Sequence, residues 1–180
     1  MENGKLKIKI KNLKLEIGNW KLHQGFTLVE LIIYMGLLGI FLIILTDIFV
    51  SMLNVKGKTE AVSYVEQDGR FILSRFGYDI PQASSITIPQ NLGESGNSLV
   101  MVVNGSTYTY SLVSNNLQLN NGSTTENLNS SETEITAITF QKIGNSGGKN
   151  TVKIQFTIES ITQTTTGAET KTFTTTIGRR

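Results

Sequence analysis

Residues 25–50 read GFTLVELIIYMGLLGIFLIILTDIFV, and the rest of the chain is organised around this stretch. Residues 26–45 form a run of twenty in which Glu30 is the only charged residue. A helix of that length reaches about 30 Å, the thickness of the hydrocarbon core of a bilayer. A carboxylate inside such a segment costs roughly 2.5–3.5 kcal/mol on insertion scales, so Glu30 calls for a specific role.

The positive charge of the chain is concentrated before this segment. Residues 1–25 hold six lysines and two glutamates, a net charge of +4, whereas the whole 180-residue chain has a formal net charge of only +2. Basic residues beside an apolar span stay on the cytoplasmic side of a membrane. We therefore expect a basic cytoplasmic leader at 1–25, a transmembrane helix at 26–53 and an extracytoplasmic region at 54–180.

The leader does not indicate a nucleic-acid-binding protein, because its lysines are explained by membrane topology and the remainder of the chain is slightly acidic. Lysine alternates with apolar residues over residues 5–10, a pattern also compatible with contact to anionic lipid. An ordinary secretory signal peptide would have a shorter apolar region followed by a small-residue cleavage site, and neither feature is present. The apolar segment is therefore interpreted as an anchor, with membrane lipid as its expected surroundings.

The helical pattern continues beyond the apolar segment. Over residues 54–80 the apolar positions recur mostly at spacings of three, four or seven, which is one face of a helix. These positions are Val55, Val62, Val65, Ile72, Phe76 and Ile80. Pro81 is expected to end the helix, because proline disfavours helical backbone in the residue before it. Glycines at 57, 69 and 77 each weaken the helix by about 1 kcal/mol relative to alanine, so bends are expected there.

After Pro81 the apolar period changes from 3.6 to 2, which indicates β-strands. Strands are predicted at 85–89, 99–103, 108–112, 117–119, around 138–140, at 151–158 and at 170–177, with loops at 120–131 and 162–167. Asn104-Gly105 between two alternating runs predicts a hairpin turn. The fold class is therefore α+β: a long helix over about 26–80 packed on a small antiparallel sheet with one buried face. We call residues 54–180 the head.

Little in the sequence indicates catalysis or a cofactor. There is no cysteine, the single histidine is His23 in the leader, and no nucleophile, phosphate-binding or zinc motif is present. Glu126, Glu132 and Glu134 cluster near one loop, where a solvated edge is expected and a calcium site is the alternative. Asp47 is interpreted as lying at the membrane–water interface, with a role between subunits left open. We expect no enzyme activity, no metal and no cofactor.

Basic residues, then Gly25, then Phe26-Thr-Leu-Val-Glu30 and an apolar helix closely resemble the type III signal of type IV prepilins and pseudopilins. The resemblance implies that a membrane-embedded prepilin peptidase cuts between Gly25 and Phe26 and methylates the new N-terminus at Phe26. It also implies that Glu30 is the assembly glutamate, which pairs with the N-terminal amine of a neighbouring subunit. An amine and a carboxylate one turn apart offset each other within one subunit or across two.

The resemblance is incomplete elsewhere. Asp47 occupies a position where many major pilins carry proline, so no kink is expected there, and the cysteine pair of several pilins is absent. Residues 69–75 and 79–84 resemble, more loosely, the helix end of J-type minor pseudopilins. The expected function is that of a minor structural subunit of a type IV pilus, a type II secretion pseudopilus or a DNA-uptake filament.

Expected partners are prepilin peptidase, other pilin-like subunits through the N-terminal helix, and an inner-membrane assembly platform. The expected location is a single pass through the inner membrane, and after assembly a pilus or pseudopilus at the cell surface or in the periplasm. The alternative is a membrane-anchored extracytoplasmic adhesin or ligand-binding protein. A hydrolase in the head ranks third, since the sequence offers no nucleophile–base pair.

Overall fold

The structure is a computed structural model that describes residues 25–144, 148–164 and 167–180. Predictions for the leader before Gly25 lie outside the described residues. One long helix, α1 (Leu28–Gln82), precedes nine strands in the described part of the chain. The strands are β1 (Ala83–Ile88), β2 (Ser95–Gly96), β3 (Ser98–Val103), β4 (Ser106–Val113), β5 (Asn116–Asn120), β6 (Thr125–Asn127), β7 (Thr133–Ile143), β8 (Thr151–Thr164) and β9 (Gly167–Gly178).

Contacts along the chain divide it into two compact units. The first ends at Leu45, and its described part contains the apolar beginning of α1. The second runs from Thr46 to Arg180 and contains the rest of α1 and all of the described strands. The α+β class is therefore confirmed: one long helix, apolar in its first half, precedes antiparallel sheets on which its second half packs.

Helix α1 ends two residues later than the sequence predicts. It contains Pro81 and reaches Gln82, whereas proline was expected to end it at Ile80. Proline removes one backbone donor but leaves its own carbonyl available. That carbonyl accepts a hydrogen bond from the Arg180 backbone N–H at 3.2 Å, and the Gln82 side chain donates to the Tyr78 carbonyl at 2.9 Å. These bonds satisfy two carbonyls of the last turn, and the proline, one residue before the helix ends, removes only the one hydrogen bond that its own N–H would have donated.

The strands form two antiparallel sheets rather than the single sheet expected. One has the order β1-β3-β4-β5-β6 and the other the order β2-β7-β8-β9. The predicted hairpin between β3 and β4 is confirmed, because Asn104 and Gly105 form its turn with φ angles of 50° and 83°. Positive φ at both central residues is the requirement of a type I′ turn, which Asn-Gly meets with little strain.

Both predicted loops contain strand residues. Strand β6 lies inside the polar stretch 120–131 and pairs with β5. Strands β8 and β9 extend into the stretch 162–167, where Thr164 pairs with Gly167. The two-residue strand β2 was not predicted either. These additions have few buried side chains, so no apolar alternation marks them, and their backbones form strands because a neighbouring strand supplies hydrogen bonds.

The core of the head lies between the second half of α1 and the two sheets. Phe76 is fully buried, and its ring centroid lies 4.9 Å from that of Tyr110 on β4, 5.7 Å from Phe140 on β7 and 6.3 Å from Phe156 on β8. Of the predicted stripe, Val65, Ile72, Phe76 and Ile80 are buried, Val62 is half-buried and Val55 is exposed. One helix face therefore contributes side chains to the interior of both sheets.

A glycine permits a close contact between the helix and the sheet that contains β9. Helix α1 is continuous through Gly57, Gly69 and Gly77, but only Gly69 of these three is buried. A Cβ atom at Gly69 would lie 2.2 Å from the ring of Phe173 on β9, whereas at Gly57 and Gly77 it would meet nothing within 4 Å. Gly69 is therefore a packing position, which local helix propensity does not reveal.

Candidate functional site

The segment on which the sequence resemblance rests lies at the start of α1. Gly25, Phe26 and Thr27 precede the helix, which begins at Leu28. The first backbone hydrogen bond of the helix runs from the Leu31 N–H to the Thr27 carbonyl, at 3.1 Å. Thr27 is therefore the N-cap residue, and the bond between Gly25 and Phe26 lies in non-helical backbone.

Thr27 and Glu30 form a capping box. The backbone N–H and the hydroxyl of Thr27 each donate to Oε2 of Glu30 at 3.2 Å, and the Glu30 N–H donates to Oγ1 of Thr27 at 3.2 Å. Threonine at the N-cap with glutamate three residues later is the sequence signature of this arrangement, in which each side chain satisfies a backbone donor at the helix start. The carboxylate also lies in the first turn, where a helix favours negative charge.

The capping role of Glu30 was missed in reading the sequence, although the pattern Thr-x-x-Glu was present. It changes the interpretation of this carboxylate, because Glu30 already has a partner within its own subunit. The bonds to Thr27 leave other lone pairs of the carboxylate available, since two carboxylate oxygens offer about four acceptor sites. A local capping role and a role in pairing with an amine are therefore chemically compatible.

The backbone around the predicted cleavage point is open. Gly25 is exposed, and a Cβ atom there would meet nothing within 4 Å. Phe26 is 75 % exposed, and its ring contacts Tyr34 edge-on, with centroids 5.9 Å apart and ring planes at 85°. The structure thus places Gly25, Phe26 and Glu30 together at one end of the apolar helix, as the sequence predicts. Which of them is processed or takes part in assembly stays a prediction.

The helix that follows is apolar on all sides. Its large hydrophobic side chains from Leu28 to Val55 are about half to three-quarters exposed in the isolated chain. Among the described residues, α1 is the one helix long and apolar enough to cross a membrane by length and composition. Asp47 lies within this helix and is exposed, so its role stays open. These features fit single-pass membrane anchoring.

The predicted acidic cluster lacks the features of a metal site. Glu134 accepts a hydrogen bond from Nδ2 of Asn115 at 2.9 Å, and Glu126 accepts one from the Thr124 hydroxyl at 3.4 Å. In the part of the chain that the structure describes, no three or more His, Cys, Asp or Glu residues are grouped so that they could hold a metal ion. The calcium alternative gains no support from this arrangement.

Two buried aspartates of α1 bind the sheets instead. Asp79 accepts hydrogen bonds from the Tyr110 hydroxyl and from Nε of Arg75, the latter at 2.7 Å. Asp68 accepts from the backbone N–H of Ser130 at 2.9 Å, from the Ser130 hydroxyl at 2.8 Å and from the Thr133 hydroxyl. Each carboxylate therefore links the helix to a different sheet or its adjoining loop. Neither aspartate was assigned a role from the sequence.

The pKa shifts of Tyr110 and Arg75 favour a structural role for the group that these two residues form with Asp79. Burial raises the pKa of Tyr110, and its hydrogen bond to Asp79 raises that pKa further. Burial alone would lower the pKa of Arg75, but attraction to Asp79 and the contact with Tyr110 outweigh it, so the pKa is raised. Both groups therefore keep their protons at physiological pH. A neutral phenol and a fixed cation around one carboxylate form a static network rather than an acid–base pair.

Two further contacts fasten the head. Lys142 on β7 is buried, and its ammonium donates to the carbonyls of Ile86 at 3.1 Å and Gln90 at 2.9 Å. At the surface, Lys171 on β9 donates to Glu66 on α1, and this hydrogen bond lowers the pKa of Glu66. Lys142 and the Lys171–Glu66 pair therefore stabilise the head by joining segments that are distant in the sequence.

Comparison with known families singles out the N-terminal segment. Residues 20–46 match the family model described as the prokaryotic N-terminal methylation motif. The match includes Gly25, Phe26 and Glu30 and ends before the head. No curated protein and no solved structure matches the chain.

Proposed function

We propose that this chain is a pilin-like structural subunit, made as a membrane-anchored precursor, cut between Gly25 and Phe26, and assembled into a filament through α1. The methylation motif over residues 20–46 supports the type IV pilin and pseudopilin family and processing by prepilin peptidase. Members of that family are structural subunits rather than enzymes. The observation that carries the proposal is this motif at the start of a helix apolar enough to span a membrane.

In the proposed reaction, water adds across the amide between Gly25 and Phe26. The leader leaves with a carboxylate on Gly25, and the mature chain begins with an amine on Phe26, which then takes a methyl group from a separate methyl donor and releases a proton. The scissile bond lies outside the helix and is exposed, which suits a bond that an enzyme must reach. The mature chain would be anchored by the apolar part of α1 until it is extracted.

The same apolar surface would serve first as membrane anchor and then as filament core. Its exposed side chains need either lipid or other apolar helices around them, because a monomer in water would leave them uncovered. In that core, the amine of Phe26 and the carboxylate of Glu30 are acceptable together but costly apart. Glu30 would therefore fix the register at which a subunit docks.

The finer assignment is to a minor subunit of a type IV pilus, a type II secretion pseudopilus or a DNA-uptake filament. It is supported by the looser resemblance of residues 69–75 and 79–84 to J-type minor pseudopilins. Assembly would involve other subunits and an inner-membrane platform, with the head outside the cytoplasm. The finished filament would lie at the cell surface or in the periplasm.

The test is the mature N-terminus. The full chain is co-expressed with a prepilin peptidase and analysed by mass spectrometry, with N-methylated Phe26 as the expected first residue. Gly25→Leu should remain uncut, because a side chain next to the scissile bond obstructs the peptidase. Gly36→Ala is the matched control and should be processed normally, since a Cβ atom there meets nothing within 4 Å.

Two outcomes would contradict the proposal. A wild-type chain that keeps Met1 beside an active peptidase would instead indicate a permanently anchored extracytoplasmic protein. Equal processing of wild type and Gly25→Leu would remove Gly25 from the recognition signal.

A further inference from the structure

The contact between Phe26 and Tyr34 involves the residue that would become the N-terminus after the proposed cleavage. Phe26 lies two residues before the helix, and its ring contacts Tyr34 edge-on at a centroid distance of 5.9 Å. The plane angle of 85° is the T-shaped geometry that aromatic pairs favour. Phe26, which lies outside the helix, is therefore in ring contact with Tyr34 within it.

Along the chain, Glu30 lies four residues after Phe26 and four residues before Tyr34. Residues four apart on a helix are surface neighbours, so Glu30 and Tyr34 lie side by side. The Glu30 carboxylate accepts the backbone N–H of Thr27, the residue directly after Phe26. The backbone nitrogen of Phe26 is therefore one residue away from a donor that Glu30 already binds.

We infer that Tyr34 is a positioning residue for the mature N-terminus: its ring holds Phe26 beside Glu30, so that the amine released by cleavage meets the carboxylate of its own subunit. This inference rests on the proposed function. Hydrolysis supplies the amine, and no other reactant is needed. Without the ring contact, Phe26 would rotate about the backbone before the N-cap, and the amine would leave the carboxylate more often.

The contact is specific to the ring. Tyr34 is 52 % exposed, so its substitution removes little buried packing from the isolated chain, and the hydroxyl is not required for an edge-on contact. Tyr34→Phe should therefore behave like the wild type, whereas Tyr34→Leu keeps an apolar side chain of helix-forming character but loses the ring. The pair separates the effect of the ring from general hydrophobicity.

The experiment measures how freely the amine reacts. The full chain in detergent micelles is cut by purified prepilin peptidase without a methyl donor, which leaves a free amine on Phe26. The rate of acylation of that amine by an N-hydroxysuccinimide ester is compared with that of Lys56 in the same chain by mass spectrometry. We expect Tyr34→Leu to acylate about three- to tenfold faster than wild type, in line with the strength of an aromatic pair.

Glu30→Gln provides the decisive background. Glutamine preserves the capping box but removes the charge. If Tyr34 acts through Glu30, then Tyr34→Leu should add no acceleration in the Glu30→Gln chain, because the ion pair that the ring supports is already lost. Phe41→Leu removes another exposed aromatic ring of α1 and should leave the rate unchanged.

The inference fails if Tyr34→Leu acylates at the wild-type rate, or if it accelerates the reaction equally in the Glu30→Gln background. It also fails if Phe41→Leu has the same effect as Tyr34→Leu. Absence of any cut at Phe26 is a separate result, which overturns the proposed function and with it the reason for positioning an amine.

Discussion

Three acids of α1 fall into two kinds that differ in where their partners lie. Asp68 and Asp79 are buried, and each binds groups on a strand or loop far along the sequence. Glu30 is exposed, and its partner is Thr27, three residues away. The first kind joins the helix to the sheets. The second kind, Glu30, is hydrogen-bonded to Thr27 at the start of the same helix. Its remaining acceptor sites are available for a partner from another molecule.

The side chains around these acids differ in the same way. In the head, one face of α1 is covered by two sheets and contributes Phe76 to their core. At the beginning of α1, the large apolar side chains are exposed. Folding of a single chain therefore uses one region of the helix and leaves the other for lipid or further subunits.

The largest effect is expected at Glu30. Glu30→Ala should insert into the membrane normally but enter filaments at least about tenfold less, because an N-terminal amine, of the same subunit or of a neighbour, would remain unpaired in an apolar core. The amount of subunit in sheared filaments, relative to the amount in the membrane fraction, measures this. Glu30→Gln keeps the capping box and should be equally defective. Rescue by glutamine would instead assign the defect to helix capping.

Phe76→Ala tests the buried side of the comparison. Truncating a fully buried phenylalanine that contacts three other rings should lower the free energy of unfolding of the head by about 3–5 kcal/mol. Chemical denaturation of the full chain in micelles, followed by near-UV circular dichroism, reports this loss. The matched variant Phe41→Ala lies among the exposed side chains and should leave the head unchanged. Equal effects from both variants would contradict the division.

Gly69→Ala should destabilise the head by about 1–3 kcal/mol, because the added methyl group overlaps the Phe173 ring. Gly77→Ala, on the same helix with open space around it, should stabilise it by up to about 1 kcal/mol through helix propensity. The opposite signs are read from denaturation midpoints of the two variants. A stabilising effect at Gly69 would mean that Phe173 is free to move aside.

Tyr110→Phe should cost about 1–2 kcal/mol by removing the hydroxyl that donates to Asp79. The raised pKa of Tyr110 also predicts that the stability lost in this variant depends on pH. The pKa of Tyr110 is raised in the folded state, so its contribution is complete below the unfolded pKa of about 10 and declines as the pH rises further. The difference in stability between wild type and Tyr110→Phe should therefore narrow above about pH 10. A constant difference across that range would show that the phenol ionises equally in both states.

Much of the fold follows from local pattern. The apolar run, the stripe from Val65 to Ile80 and the alternation in β3, β4 and β8 predict the helix and the main strands, because each depends on the period of a short segment. The turn at Asn104 follows from the same local chemistry. Strand β6 and the outer ends of β8 and β9 lack alternation, so they were assigned to loops.

The candidate site was likewise only partly predictable from the sequence. Gly25, Phe26 and Glu30 were identified from a contiguous motif, and Thr-x-x-Glu was also available as a capping signal. The contact between Phe26 and Tyr34 was not predicted, since a residue before the helix start has no fixed phase relative to the helix. The structure supplies that phase by placing the two rings in contact.

The sequence by itself determined the anchor, the charge before it, the long helix and the presence of a β-rich head, because these depend on composition and short-range periodicity. Only the tertiary structure decided that the strands form two sheets, that Asp68 and Asp79 are buried, and that Gly69 lies under Phe173. Those features join residues distant in the chain, where burial and pairing depend on which elements meet rather than on any local pattern.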